Sequence, residues 1–270
     1  MISILGCGWY GMALGKALAQ DGENVKGSTT SNARFDEITA AGIKPYLLTL
    51  SAEELVANDD FFDCNTLIAS VPPRMRSGET DYTAKIQQLI KAIIKQGIQQ
   101  VIYISSTGVY PDSNSDLNEN DHPAPQSQSN TILFEAEELF RKQSKFKTTI
   151  IRFGGLVGPG RHPGRFFAGK TNIPNGQAPV NLIHLQDCVA LTKSILNQEA
   201  FGYTFNACSP HHPQKAQFYT QATLHAGLEA PSFIDELHEW KTVSSVNVPA
   251  VLRYEYAINN WDSCFTGNCF

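Results

Sequence analysis

Apolar residues recur along this chain with two periods, and each change of period marks an element boundary. Residues 3–5 form a short apolar run, a glycine turn follows, and residues 12–20 carry an alanine-rich helical pattern. A second strand is predicted over 24–30, a helix over 36–41 stopped by Gly42, and a third strand over 45–50, completing one βαβαβ half. Residues 65–71 read as the fourth strand, closed by Pro72 and Pro73 because a missing backbone donor halts sheet pairing. Ile86, Leu89, Ile90, Ile93 and Ile94 fall on one face of a helix over 83–95, with Gly97 at its C-terminal cap. A fifth strand over 100–104 then delivers Ser105, Ser106 and Thr107 to its carboxyl end.

The stretch 111–130 is polar and proline-containing, hence a surface loop. Leu133, Ala136, Leu139 and Phe140 make an apolar stripe on a helix over 131–143, and 148–153 is a sixth strand. The glycine- and arginine-rich loop 154–176 is too long for a connector and is read as a substrate loop. A seventh strand over 180–184, a helix over 186–196, a strand at 204–206 and a helix at 215–226 complete the pattern. Strand and helix alternate throughout, which predicts an α/β fold: a Rossmann-type doubly wound parallel sheet with a smaller C-terminal substrate-binding region. The expected division is a dinucleotide-binding core over 1–153 and a substrate-binding loop and region over 154–270, interleaved with the core near 180–196.

Composition narrows the function classes. With 42% hydrophobic and 17% charged residues over 270 positions, the chain is an ordinary globular sequence with room for a full core. No run approaches the roughly 18 apolar residues of a membrane span. A formal net charge of -5 opposes nucleic-acid binding, which needs a basic face. Met1 leads straight into the first strand where a secretory leader would need charge and a longer apolar stretch, so the expected location is cytoplasmic. The six cysteines show neither C-x-x-C nor zinc-type spacing, so no metal is expected and most are read as reduced thiols. Cys264 and Cys269 are close enough to pair, in a tail expected to be mobile.

Gly6, Gly8 and Gly11 have the spacing of a pyrophosphate-binding turn between strand and helix. The first permits the turn, the second lets backbone approach phosphate, and the third lets helix pack on strand. Trp9 and Tyr10 fall inside this turn. Ser28 and Thr29 end the second strand, Ser70, Val71 and Pro72 end the fourth, and Ser105 ends the fifth; these join the expected cofactor-binding set. No carboxylate stands at the end of the second strand to hold ribose hydroxyls. Hydroxyl residues, Arg34 just beyond and Lys26 suit a 2′-phosphate instead, which favours NADP, with NAD the alternative. Arg74 and Arg76, beside the expected cleft, are further phosphate candidates.

Several motifs together resemble the extended short-chain dehydrogenase/reductase superfamily, the NAD-dependent epimerase/dehydratase group. They are Gly6-x-Gly8-x-x-Gly11, the run from Ser105 through Tyr110, Arg152-x-Gly154-Gly155-x-x-Gly158-Pro159-Gly160, and the run from Val180 to His184 with Asp187. The run from Gly158 to Phe167 is most similar to an atypical, YeeZ-like branch. The resemblance implies that Ser106 polarises a substrate carbonyl while a tyrosine in a Tyr-x-x-x-Lys helix moves the proton. That pair is missing: with the helix anchored on Glu137, Ser129 stands at the tyrosine position and Leu133 at the lysine position, a shift of one gives Asn130 and Phe134, and no tyrosine occurs between Tyr110 and Tyr203. Tyr110, on the loop after Ser106, is the candidate replacement.

Arg161, His162 and Arg165 lie beyond the sixth strand, where open α/β sheets bind ligands, and with Thr107 and His184 they form the expected substrate-binding set. Asp187 is explained as a first-turn helix acid. A homodimer is implied by analogy with the superfamily. The reading is an NAD(P)-dependent oxidoreductase or epimerase/dehydratase-like protein acting on a small sugar-nucleotide or anionic substrate. The alternative is a catalytically silent NAD(P)-binding sensor or structural protein, kept open by the missing Tyr-x-x-x-Lys pair.

Overall fold

The computed structural model describes residues 1–73, 81–267 and 269–270. In chain order the first half contains β1 (Ile2–Leu5), α1 (Trp9–Gln20), β2 (Val25–Thr29), α2 (Phe35–Ala40), β3 (Lys44–Leu50), β4 (Leu55–Ala57), β5 (Thr66–Ala69), α3 (Tyr82–Gln96) and β6 (Gln100–Ser106). The second half contains β7 (Ser115–Leu117), α4 (Gln128–Arg141), β8 (Lys147–Phe153), β9 (Gly155–Val157), β10 (Leu182–His184), α5 (Leu185–Asn197), β11 (Thr204–Ala207), α6 (Lys215–His225), β12 (Lys241–Val243) and α7 (Asp262–Thr266). Eight strands make one sheet in the order β11-β8-β6-β5-β1-β2-β3-β4, parallel except for the β3–β4 edge. The chain leaves β1 toward β2 and β3, then returns to the other side at β5. The carboxyl ends of β1 and β5 therefore flank the switch point where doubly wound sheets open a crevice.

Parallel strands are buried on both faces, and the period of two sorts their residues between two cores. Ile2 and Ile4 of β1, Ile68, Ile102 and Ile151 pack with Leu14 and Leu18 of α1 and with Leu191 and Ile195 of α5. Leu5, Leu67, Val101, Tyr103 and Ile150 face the opposite way, onto Ile86, Leu89 and Ile93 of α3 and Ala136 and Phe140 of α4. The apolar stripes read from the sequence on α3 and α4 are thus the faces that cover one side of the sheet.

The α4 side also buries a charged pair. Glu137 is 0% exposed and Arg152, on β8, 2%. Arg152 donates from Nε to both carboxylate oxygens at 3.0 and 3.2 Å and from Nη2 to Oε2 at 2.6 Å. Ser105 donates to Oε1 at 2.6 Å, and Arg152 Nη1 reaches the Tyr110 hydroxyl at 2.6 Å. Every charge in the cluster is met, which is the condition under which a buried pair is tolerated.

The region after 153 departs from expectation in three places. The seventh strand does not start at Val180 and does not enter the main sheet; Leu182–His184 pairs only with β9. The eighth position of the sheet is taken by β11, in register with β8 from Thr204↔Ile150 to Ala207↔Phe153. The tail is not loose: Trp261 and Cys264 are 0% exposed, Cys264 is disulfide-bonded to Cys269, and the Asp187 carboxylate accepts from the Tyr254 hydroxyl and from the Ala257 and Ile258 amides. Asp187 is therefore a tether between α5 and the tail as well as a first-turn acid.

Removing one partner of a buried pair strands the other charge. Arg152→Met is expected to lower the urea unfolding free energy by about 3–5 kcal/mol, and Glu137→Leu/Arg152→Met to lose less than Arg152→Met alone. A single variant within about 1 kcal/mol of wild type would contradict this role for the pair.

Candidate dinucleotide-binding site

Two cavities meet at the switch point and share Gly8, Ser70, Val71 and Pro72. One, of about 280 Å³, is walled by Gly6, Ser28, Thr29, Thr30, Arg34 and Lys85. The other, of about 420 Å³, is walled by Trp9, Gly11, Ser105, Ser106, Leu133 and Arg161. Together they form a cleft that crosses the carboxyl edge of the sheet over the N-terminus of α1.

The three glycines fill three different roles there. A Cβ on Gly6, whose φ is +99°, would lie 2.5 Å from the Ser70 carbonyl oxygen, and one on Gly11 would lie 2.2 Å from the Gly6 carbonyl oxygen. Both positions are closed by backbone. Gly8 meets nothing within 4 Å, so a side chain there would fill the cleft itself. Gly8 is also the N-cap of α1 and offers no side-chain bond to it, and the first turn holds no acidic residue. Bare N–H groups at the positive end of a helix, beside an open glycine, fit a dinucleotide diphosphate.

At the β2 end, Ser28 Oγ accepts the Gly6 amide at 2.9 Å and fixes the turn. Thr29 Oγ1 accepts from the Ser31 amide at 3.2 Å. Arg34 stands over the turn, donating to the Cys7 carbonyl at 2.6 Å and to Glu37 at 3.0 and 3.2 Å. Glu37 is exposed, and the guanidinium holds its carboxyl below the usual range. Lys26 is not at this end: its ammonium bonds the Asp60 and Asp63 carbonyls, so it supports the sheet and not a phosphate. Arg74 and Arg76 lie outside the described residues.

At the β6 end, Ser106 is half-buried, faces the cleft, and its Oγ accepts the Gly108 amide at 3.1 Å. One lone pair is thereby engaged, leaving the hydroxyl proton to point elsewhere. Ser105 also borders the cleft, but its hydroxyl is spent on Glu137. Leu133 lines the wall where the superfamily's lysine would stand, while Ser129 is half-buried, borders neither cavity and shares a hydrogen bond with Ser127.

Other expected site residues are placed elsewhere. Tyr110 is 1% exposed, its hydroxyl enclosed by Arg152, Asn206 and the Asn118 carbonyl, and burial raises its pKa above the ordinary phenol value. It is a core hydrogen-bond centre, not a cleft acid. The Tyr10 side chain turns inward to Thr192 at 2.7 Å and packs edge-on against Phe153, so what it offers the cleft is its first-turn N–H. Thr107 is buried beneath the loop after β6. His162 caps the Gly164 amide and packs on His225 and Phe270, away from the cleft. Arg165 is exposed and borders neither cavity. His184 caps α5 through the Gln186 amide and bonds the Cys269 carbonyl, facing a separate groove between α1 and α5. Among the described residues, no group of three or more His, Cys, Asp or Glu is placed to hold a metal, and no helix is long and apolar enough to cross a membrane.

Comparison with known proteins agrees with this geometry. The sequence profile of a family described as NAD(P)H-binding matches residues 6–183. The chain belongs to that NAD(P)H-binding family. It falls in its YeeZ-like branch: protein YeeZ of Escherichia coli K12 is 36% identical over 262 residues, covering 94% of this chain and 95% of YeeZ. Among solved structures, a short-chain dehydrogenase/reductase superfamily protein from Agrobacterium tumefaciens with bound NAD superposes with a TM-score of 0.77 at 18% identity, covering 98% of this chain and 96% of that one. UDP-N-acetylglucosamine 4-epimerase from Bacillus cereus superposes at 0.76 and 17% identity, covering 95% and 93%. The chain thus shares the fold of these short-chain dehydrogenase/reductase and epimerase structures, with a mostly parallel Rossmann-type sheet.

The glycines separate binding from folding. Gly8→Val, at a φ of -78° that valine accepts, is expected to weaken NADPH binding at least about tenfold while Tm stays within about 2 °C. Gly11→Ala is expected to cost about 1–3 kcal/mol of stability, because backbone must move. Calorimetric titration and thermal melts read both, and wild-type affinity in Gly8→Val would show that the cofactor does not cross this turn.

Proposed function

We propose that this protein is an NADP-dependent oxidoreductase or epimerase-type enzyme that holds the oxygen of a small carbonyl or hydroxyl substrate on Ser106. The observation that carries the reading is the open cleft that runs from Arg34, past the bare α1 N-terminus, to the Ser106 hydroxyl. Bound there, the nicotinamide would supply or accept a hydride.

The chain's own residues do the rest. Ser106 donates to the substrate oxygen and gathers charge developing on it, with the Gly108 amide fixing the hydroxyl's direction. Leu133 excludes water from one wall and brings no ammonium. With Tyr110 locked in the core, the proton is exchanged with water in the cleft. NADP is favoured over NAD because, among the described residues, no carboxylate lines the Ser28–Arg34 cavity. The Arg34–Glu37 contact is a solvent-screened surface pair, weaker than the charge-assisted hydrogen bonds a 2′-phosphate would accept, so a 2′-phosphate displaces Glu37.

A second reading, a dinucleotide sensor without turnover, is favoured by one observation: neither Leu133 nor the enclosed Tyr110 can serve the superfamily's proton relay.

Arg34→Ala is expected to weaken NADPH binding by about 10- to 100-fold and NADH binding by less than about threefold. Equal loss for both would remove the NADP assignment. In a reductase assay over aldehydes, ketones and nucleotide sugars, Ser106→Ala is expected to lower kcat by at least about tenfold with unchanged NADPH affinity. Unchanged kcat would remove Ser106's role, and tight binding with no turnover on the whole panel would establish the sensor.

A further inference from the structure

The loop after β9 reaches back across the molecule and rests on the first residue of α1. Trp9 Nε1 donates to the Pro159 carbonyl oxygen at 2.8 Å, joining positions 150 residues apart. The Arg161 guanidinium stands over the same indole, 5.6 Å from its centroid. Gly158 and Arg161 exchange backbone hydrogen bonds at 3.3 and 2.8 Å, closing a tight turn that needs glycine, since Gly160 sits at φ +75°.

The base of this loop is rigid. His162 caps Gly164, and Gly164 is pressed onto α6 so closely that a Cβ would lie 2.3 Å from the Ala222 carbonyl oxygen. The tip meets the rest of the protein at Trp9. It thus presents a guanidinium to the cleft beside the α1 N-terminus.

The electrostatics there are unbalanced. Among the described residues, Arg161 has no carboxylate within ion-pair distance, and no carboxylate lines the cavity it shares with Gly8, Gly11 and Ser106. A cation beside the positive end of a helix gains when an anion lies between them. Were Arg161 an ordinary solvated surface charge, its stacking on the residue next to Gly8 and its reach into the cavity would have no purpose. The sequence suggested a substrate anion for it; its position is at the phosphate turn.

We propose that Arg161 is a ligand of the cofactor's diphosphate, gripping it beside the α1 N-terminus from its seat on Trp9. Trp9 is the positioning residue: its indole N–H fixes the loop tip and its ring orients the guanidinium, whose planar donors match two phosphate oxygens. The inference rests on the dinucleotide reading above and adds to it a cation contributed by the loop after β9.

The test titrates NADPH and NADH into wild type, Arg161→Met, Arg161→Lys, Trp9→Phe and Arg161→Met/Trp9→Phe by calorimetry, with thermal melts of each. Both dinucleotides carry the diphosphate, so Arg161→Met is expected to weaken both by the same factor, about 10- to 100-fold, with Arg161→Lys intermediate. Trp9→Phe is expected to weaken both by less, and the double variant to bind no worse than Arg161→Met, since Trp9 acts through Arg161. Arg161 is exposed, so its variants should melt with wild type. Unchanged binding of both dinucleotides by Arg161→Met, or weakening of only one, would overturn the proposal while leaving the cofactor reading intact. Failure of wild type to bind either would remove both.

Discussion

The arrangement depends on one close approach: the backbone of the β1–α1 turn against the end of β5 and against itself. Gly6 lies where any Cβ would enter the Ser70 carbonyl, and Gly11 where one would enter the Gly6 carbonyl. Because both side chains are absent, α1 starts directly over the carboxyl end of β1, at the point where the sheet reverses direction. The helix dipole, its uncapped N–H groups and the open face of Gly8 are aimed into the same crevice as a consequence. Ser28 from one side of the switch point and Ser106 from the other become neighbours of that crevice through strand order, and loops bring Arg34 and Arg161 to it.

Directly behind the Ser106 end of the cleft lies the buried Ser105–Glu137–Arg152–Tyr110–Asn206 chain of hydrogen bonds. It ties α4 to β6, β8 and β11, and it consumes the tyrosine, carboxylate and guanidinium that otherwise look available for catalysis. Ser105 and Ser106 illustrate the division. Adjacent residues at a strand end point to opposite sides, so one hydroxyl serves the core and the other the cleft. Charge that would be chemically active in water is structural here because every donor and acceptor is already met.

Much of this was legible in the sequence because it is local. The glycine spacing, the strand before it and the helix after it fall within twenty residues, and the stripes on α3 and α4 follow from helical period alone. The missing tyrosine and lysine were legible too, and Leu133 in the cleft wall matches that register. What escaped was nonlocal. Tyr110 looked accessible because it follows Ser106, yet its partners Arg152 and Asn206 are 42 and 96 positions away. Lys26 looked close to the cofactor, but its strand runs between the two ends of the sheet and its ammonium finds the Asp60 and Asp63 carbonyls at the other one. The tail looked mobile because chain ends fray unless tied down, whereas buried Trp261 and the Asp187 tether fasten it. Arg161 was visible as a loop cation, but no pattern in the chain announces that its loop folds back onto Trp9.

The central claim is that diphosphate oxygens meet the bare first-turn amides of α1. Backbone amide NMR of isotope-labelled protein, recorded before and after saturation with NADPH, tests it most directly. The account predicts that the largest amide shifts fall on Gly8, Trp9, Tyr10 and Gly11. Shifts absent from this turn, or centred on the separate groove between α1 and α5, would contradict it.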